Sequence, residues 1–242
     1  MNPVRTFASA KRILLQLKHD PRSMALIIVA PCLLMTILKF VYWSQPQVFQ
    51  NVAGSLLGVF PMLVMFLITS VATLRERTSG TLERVLISPV TKFEFIFGYA
   101  VAFGIASAVQ AVIVSTYAIG PLGLNVIGSQ AGLICVAILD ALLGLALGLF
   151  VSSFAKTEFQ AIQFLPIVLL PQLLLSGLLA PRETMPRILE EISNFLPLSY
   201  AVDATKKVLI GQGSITSDFL IISLFLVFLL GAGSLTLRRT TK

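Results

Sequence analysis

Apolar residues in this chain come in long blocks, broken by short polar stretches. Six apolar runs stand out, at about 23–41, 52–74, 95–119, 131–154, 161–180 and 218–237. Each comes close to or exceeds the roughly 20 residues a helix needs to cross a bilayer. Polar or Gly/Pro-containing breaks divide them: Trp43 to Asn51, the charged stretch 75–94, Gly120 to Gln130, Ala155 to Gln160, and Pro181 to Ser217. Residues 3–20 have a different rhythm. Phe7, Ala10, Ile13, Leu14 and Leu17 recur on one helical face, opposed by Arg5, Arg12, Gln16 and His19, with lysines at the edges. That pattern predicts an amphipathic helix, ended by Asp20-Pro21, that lies in the membrane interface or packs on the protein's own cytosolic ends. The two placements are compatible.

The 181–217 segment is too long for a plain turn. Met185, Ile188, Leu189, Ile192, Phe195 and Leu196 recur at helical spacing, against Arg187, Glu190, Glu191 and Asn194. We expect a short helix, a break at Pro197, and a second helix from about Tyr200 to Ile210 that stops near Gly211, as an outer cap or re-entrant hairpin. No internal repeat is evident, which weighs against an inverted-repeat secondary transporter.

Composition turns these runs into a class. The chain is 56% hydrophobic and 12% charged, with a mean hydropathy of +0.92, whereas soluble domains carry about 25% charged residues. The expected fold is an all-α integral membrane protein, one domain over 1–242, with no room for a soluble catalytic domain. A formal net charge of +7 suggests nucleic acid in a soluble protein. Here the Lys/Arg residues gather in the N-terminal segment, the 75–94 stretch, the Lys156 turn and the Arg238-Arg239-Lys242 tail. With six spans these share one side, so both termini are expected in the cytoplasm, with no nucleic-acid partner. The first 22 residues show no small-residue cleavage pattern, so no cleavable leader is expected. Cys32 and Cys135 lie within apolar runs, which argues against a disulfide framework or metal site.

Few residues offer chemistry at membrane depth. Asp140 is the single acid deep inside a run, and Gly144 and Gly148 follow it on the same helical face. It suits either a translocation path or proton relay, or a hydrogen-bonded packing position beside a small-residue stripe. A relay needs further acids or a histidine at depth, and His19 lies outside the runs. Gln110, Gln163 and Gln172 suit substrate contact or interhelical hydrogen bonding equally. Lys39, beside Tyr42 and Trp43, is placed to snorkel outward. Pro61, Pro166 and Pro171 should kink their spans, and Ala100, Gly104 and Ala108 form a second small-residue stripe. So little charge at depth points to an apolar or amphipathic solute. No phosphate loop, H-E-x-x-H, nucleophile elbow or Cys/His cluster appears, so the chain is not expected to be an enzyme or to bind ATP in the usual way.

The densest charge lies between Arg75 and Glu94: Arg75, Glu76, Arg77, Glu83, Arg84, Lys92 and Glu94, with Gly80-Thr81 between and Pro89 closing the run. Gly80 permits a sharp break, and Thr81 is a good cap for a short helix. Glu83 sits near that helix's N-terminus, where negative charge is favoured. Arg84 with Leu82, Val85 and Leu86 then offers a mixed face to a soluble partner, although a solvated loop that only satisfies the charge bias would also fit. The run Thr73-Leu74-Arg75-Glu76-Arg77-Thr78-Ser79-Gly80-Thr81-Leu82-Glu83-Arg84-Val85-Leu86, with Ser88-Pro89, resembles the first cytoplasmic loop of ABC-2 type permeases, membrane subunits of exporters in the daunorubicin-resistance and multidrug group. Pro181, Met185-Pro186, Ile192-Ser193, Leu196-Pro197, Tyr200 and Gly211 resemble the family's outer segment, while Lys206-Lys207 stands where many relatives are expected to carry arginine.

The resemblance covers nearly the whole chain, and it implies a permease half-transporter in a prokaryotic cell membrane. Two permease chains, identical or related, would pair through the second and fifth spans, with two separate ATPase chains docked beneath. The chain itself would hold no cofactor, since ATP and Mg would sit in the ATPase. Arg75, Glu76, Arg77, Gly80, Thr81, Leu82, Glu83, Arg84, Leu86 and Pro89 would form the coupling element. Substrates open under this reading are drugs, lipids, glycan precursors and ions. An ion-coupled secondary transporter is the competing class.

Overall fold

The computed structural model describes residues 3–79 and 92–236, which are helical with no strand among the described residues. The elements are α1 Pro3–Lys18, α2 Pro21–Val41, α3 Pro46–Thr78, α4 Lys92–Ile119, α5 Gln130–Ser152 and α6 Glu158–Leu175. A 3₁₀ turn at Arg182–Thr184, then α7 Arg187–Asn194, α8 Pro197–Ile210 and α9 Thr216–Thr236 complete the order. Among the described residues, six helices, α2 to α6 and α9, are long and apolar enough to cross a membrane. The expected all-helical architecture with six spanning helices is therefore present. The expected coupling helix lies outside the described residues.

The bundle is organised around α3, which packs most extensively on α5. Two glycines allow that contact. A Cβ on Gly144 would sit 2.3 Å from the Met62 carbonyl oxygen, and one on Gly148 would sit 2.7 Å from that of Phe66. The stripe after Asp140 is thus a backbone-on-backbone crossing, where small residues let helices approach in the absence of a hydrophobic drive from water. The Ala100/Gly104/Ala108 stripe is different: all three are only half-buried, and a Cβ on Gly104 would meet nothing nearer than Leu142 at 3.4 Å. The close approach on α4 occurs instead at Gly98, where a Cβ would come within 2.8 Å of the Ser9 Cβ on α1.

Helix α1 buries Thr6, Ala10, Ile13 and Leu17 against α4, so packing on the protein's own helices accounts for one face. Phe7, expected on that face, is 64% exposed, because the buried row runs through its neighbour Thr6, one residue and about 100° away. Asp20 then caps α2, accepting from the backbone N–H groups of Arg22 and Ser23 and from the Ser23 hydroxyl. The Ser23 hydroxyl first, then the backbone donors, hold its carboxyl below the usual carboxylate range. Pro21 opens the helix at its first turn, where its missing N–H costs nothing.

Helix boundaries depart from the apolar runs at three places. Helix α3 begins at Pro46, well before the apolar run, and continues through the charged residues to Thr78, whose hydroxyl donates to the Leu74 carbonyl. Helix α6 stops at Leu175 rather than 180, because Gly177 turns the chain at φ +82°. The two outer helices are present as expected, with the break at Phe195–Leu196; Pro197 opens the second helix in its first turn, so α8 starts three residues before Tyr200. That helix ends at Gly211 in the left-handed conformation (φ +69°), as its sequence predicts. Near the α2–α3 connection, the Lys39 ammonium lies 4.8 Å from the Phe49 ring centre and Trp43 is 70% exposed.

Candidate functional site

Two ion pairs meet at the end of α3 that leads into the charged segment. Arg75 reaches Glu158, the first residue of α6, with Nε to Oε1 at 2.7 Å and an Nη to Oε2 at 3.0 Å, a two-pronged guanidinium–carboxylate pair. The next residue, Glu76, points the opposite way. It is buried (8% exposed) and pairs with Arg12 of α1 at 2.8 Å. Adjacent residues on a helix diverge by about 100°, so one turn of α3 holds α1 with one side chain and α6 with the other. Thr157 helps by capping α6, its hydroxyl accepting from the Gln160 N–H, which places Glu158 in the first turn.

Between these helices lies an open cavity of about 990 Å³. Leu26 of α2, Leu67 and Val71 of α3, and Ile162 of α6 form part of its apolar wall, while Arg22, Arg75 and Glu158 stand among its polar lining. Helices α2 and α6 flank it and are sparsely covered by the rest of the chain. The partly exposed α3 positions Leu63, Leu67 and Val71 share one stripe, and Leu67 and Val71 meet this opening while most of α3 is buried.

The sequence-predicted site residues fall into separate places. Arg75 and Glu76 are spent on contacts within the chain. Arg77 continues α3, and Gly80, Thr81, Leu82, Glu83, Arg84, Leu86 and Pro89 lie outside the described residues. The four depth candidates do not converge. Asp140 is fully buried on α5, and neither carboxyl oxygen has a hydrogen-bond partner among the described residues. Gln110 is buried on α4, with its amide equally unpartnered. Gln172 is buried on α6 and donates to the Val168 carbonyl at 3.2 Å, whereas Gln163, nine residues earlier and on the opposite face, is exposed. Pro61 is buried beside Gln110, turned away from the open stripe of α3. Sequence reasoning missed Glu158 and gave Arg12 only a surface role. A lone acid just after a Lys-Thr turn was the available signal for Glu158, and nothing local pointed to Arg12.

The opposite end of the bundle is knit more densely. Arg182 donates to Asp203 at 2.6 Å, bonds Asn194, and lies 5.7 Å from the Tyr200 ring centre. The Tyr200 hydroxyl donates to the Asn194 carbonyl at 2.8 Å. Burial pushes the Asp203 carboxyl upward, while Arg182 and then Lys206 pull it down. Lys206 donates to the Gly177 carbonyl at 2.5 Å, satisfying the chain just past α6, and Lys207 reaches Asp218 of α9 at 2.6 Å. The two neighbouring lysines thus fasten α8 to the turn after α6 and to the first turn of α9.

Residues 4–210 match the family model described as ABC-2 type transporter. Among curated proteins, the chain is 30% identical over 175 residues to "Probable multidrug ABC transporter permease YbhR" of Escherichia coli (strain K12), covering 72% of this chain and 48% of that one. It is 28% identical over 180 residues to "ABC transporter G family member 20" of Dictyostelium discoideum, covering 72% and 25%. It is also 28% identical over 159 residues to "Inner membrane transport permease YhhJ" of Escherichia coli (strain K12), covering 64% and 42%. The chain spans about half the length, or less, of these relatives. A match that runs from α1 to the last turn of α8, over an all-helical bundle with six spanning helices, makes this chain a member of the ABC-2 type transporter family.

Proposed function

We propose that the chain is the membrane half of an ATP-driven exporter, paired with a second permease copy and worked by separate ATPase subunits docked at the α1 end. The observation that carries this is the divergent pair Arg75–Glu158 and Glu76–Arg12. Any push on residues 80–91 enters α3 through a turn already gripped by α1 and α6. Within this reading, Glu76 transmits force inside the chain, while Gly80, Thr81, Leu82, Glu83, Arg84, Leu86 and Pro89 present the surface to the ATPase. ATP and Mg belong to that partner. The charge bias supports cytoplasmic termini with the α7–α8 end outside, and the reading takes the cell to be prokaryotic.

The second copy fits against α2 and α6: α9 is covered as sparsely, but only α2 and α6 of these three flank the open cavity. Gln163 supports this, since an exposed amide midway along an apolar helix face lacks partners in lipid and finds them at a protein interface or water-lined path. The apolar wall of the cavity suits an apolar or amphipathic solute, drug-like or lipid-like. A glycan precursor or an ion is the alternative cargo.

The test is reconstitution of the chain with a cognate ATPase in lipid vesicles, following ATP-dependent movement of a lipophilic dye. Gly80→Pro with Glu83→Lys should abolish ATPase retention or export while membrane insertion stays normal. Normal ATPase capture and normal export by that variant would overturn the coupling assignment. Transport driven by an ion gradient without any ATPase, and lost on Asp140→Asn, would favour the secondary-transporter class instead.

A further inference from the structure

A small cavity of about 10 Å³ sits inside the bundle where α3, α4 and α5 meet. Leu57, Phe60 and Pro61 of α3 face it from one side, Gln110 and Ser115 of α4 from another, and Ala137 of α5 closes it. All six are buried. Two features of this lining are chemically incomplete. Proline has no N–H, so Pro61 deprives the Leu57 carbonyl, four residues back, of its helical donor. Gln110 is 1% exposed, and neither its Nε2 nor its Oε1 has a hydrogen-bond partner among the described residues. An amide and a carbonyl at membrane depth each cost several kcal/mol when left bare.

We propose that this cavity is a binding site for a single ordered water, which donates to the Leu57 carbonyl and to Gln110 Oε1 and accepts from Gln110 Nε2. The volume is that of about one water, and two to four polar partners are what such a site requires. The proline creates the unmet acceptor on α3, and the glutamine supplies the matching groups from α4. The site also accounts for a buried glutamine in the apolar middle of α4 without calling on substrate contact. A hydrated proline turn is where α3 bends at least cost, because water can change partners without leaving the carbonyl bare. The site rests on packing alone and stands independently of the transport reading.

Radiolytic hydroxyl footprinting of the full chain in lipid nanodiscs tests this directly, because a bound water oxidises the buried side chain beside it. Phe60 (7% exposed) should be oxidised several-fold faster than Phe66 and Phe103 (0% and 2%), and dependence of that excess on Gln110 separates the bound water from residual exposure. Gln110→Leu should remove that excess, and Gln110→Met serves if the leucine variant is poorly folded. A thermal-shift cycle supplies the second readout. Pro61→Ala restores the donor to Leu57, so the shifts of Pro61→Ala and Gln110→Leu should be non-additive. Phe60 oxidation no faster than that of the two reference phenylalanines overturns the proposal. So does an excess at Phe60 that survives both Gln110 variants, or additive shifts in the cycle.

Discussion

The two ends of the bundle hold their helices by different means. At the α1 end, two ion pairs from adjacent residues of α3 reach α1 and α6 beside a cavity of about 990 Å³. At the α7–α8 end, Arg182, Asp203, Asn194 and Tyr200 form one interlocked cluster, with Lys206 and Lys207 tying α8 to the turn after α6 and to α9. Glycines allow close approach at both ends, at Gly98 against α1 and at Gly58 and Gly128 against α8. A Cβ on Gly58 would sit 2.4 Å from Thr205 Oγ1 and one on Gly128 2.2 Å from the Val208 carbonyl, so α8 is clasped by backbone on two sides. Helix α1 stays packed on α4, but α6 is tied to the α3 turn by one exposed, separable ion pair, whereas the end closed by a shared arginine and close backbone contact resists. The two ends are joined by the α3–α5 crossing.

The largest effect should come from breaking what both ends share. Gly144→Leu places side-chain atoms where the Met62 backbone lies, and neither helix can yield without separating. Overpacking of this kind costs about 1–3 kcal/mol and more when backbone is the obstacle, so we expect loss of most monodisperse protein on size-exclusion chromatography. Arg182→Ala ranks next. It leaves Asp203 and Asn194 without their shared partner in a half-buried setting, a loss of about 2–4 kcal/mol by the precedent of broken buried pairs, seen as a lowered midpoint in thermal unfolding. Glu76→Gln should cost only about 1 kcal/mol, because Arg12 stays partly solvated and a neutral hydrogen bond replaces the ion pair. Under the proposed function, its effect on ATP-driven transport should exceed its effect on stability, and equal losses in both assays would show that the pair is merely structural.

Much of the fold was legible because the membrane imposes it. Uninterrupted apolar runs must become helices, so six spanning helices could be counted from hydropathy alone. Gly211 and Asp20-Pro21 announced their boundaries through local chemistry. The end of α6 was hidden because leucines continue through 178–179, and only the left-handed Gly177 decides that the helix stops. The site was less legible. Arg75 and Glu76 stood out by charge, but their partners lie 83 and 64 positions away in sequence, and only packing chooses them. Gly144 and Gly148 were recognised as packing residues, while Gly98 was overlooked because its partner α1 was expected to face lipid as well as protein.

The Arg75–Glu158 pair should give the smallest stability change and the sharpest test of how the open end works. Both side chains are about half exposed, 56% and 48%, so water and salt screen them and the pair contributes at most about 1 kcal/mol. Glu158→Ala should therefore shift the unfolding midpoint little, and any shift should shrink as ionic strength rises. Geometry gives the pair more weight than energy does, since its two prongs fix α6 against the turn of α3 that leads into residues 80–91. Exchanging the charges, Arg75→Glu with Glu158→Arg, should recover transport lost in either single variant if the link between helices is what matters. Failure of the exchange, with both single variants stable and assembled, would assign Arg75 to a contact beyond this chain. The α1 end would then be a docking surface rather than a lever.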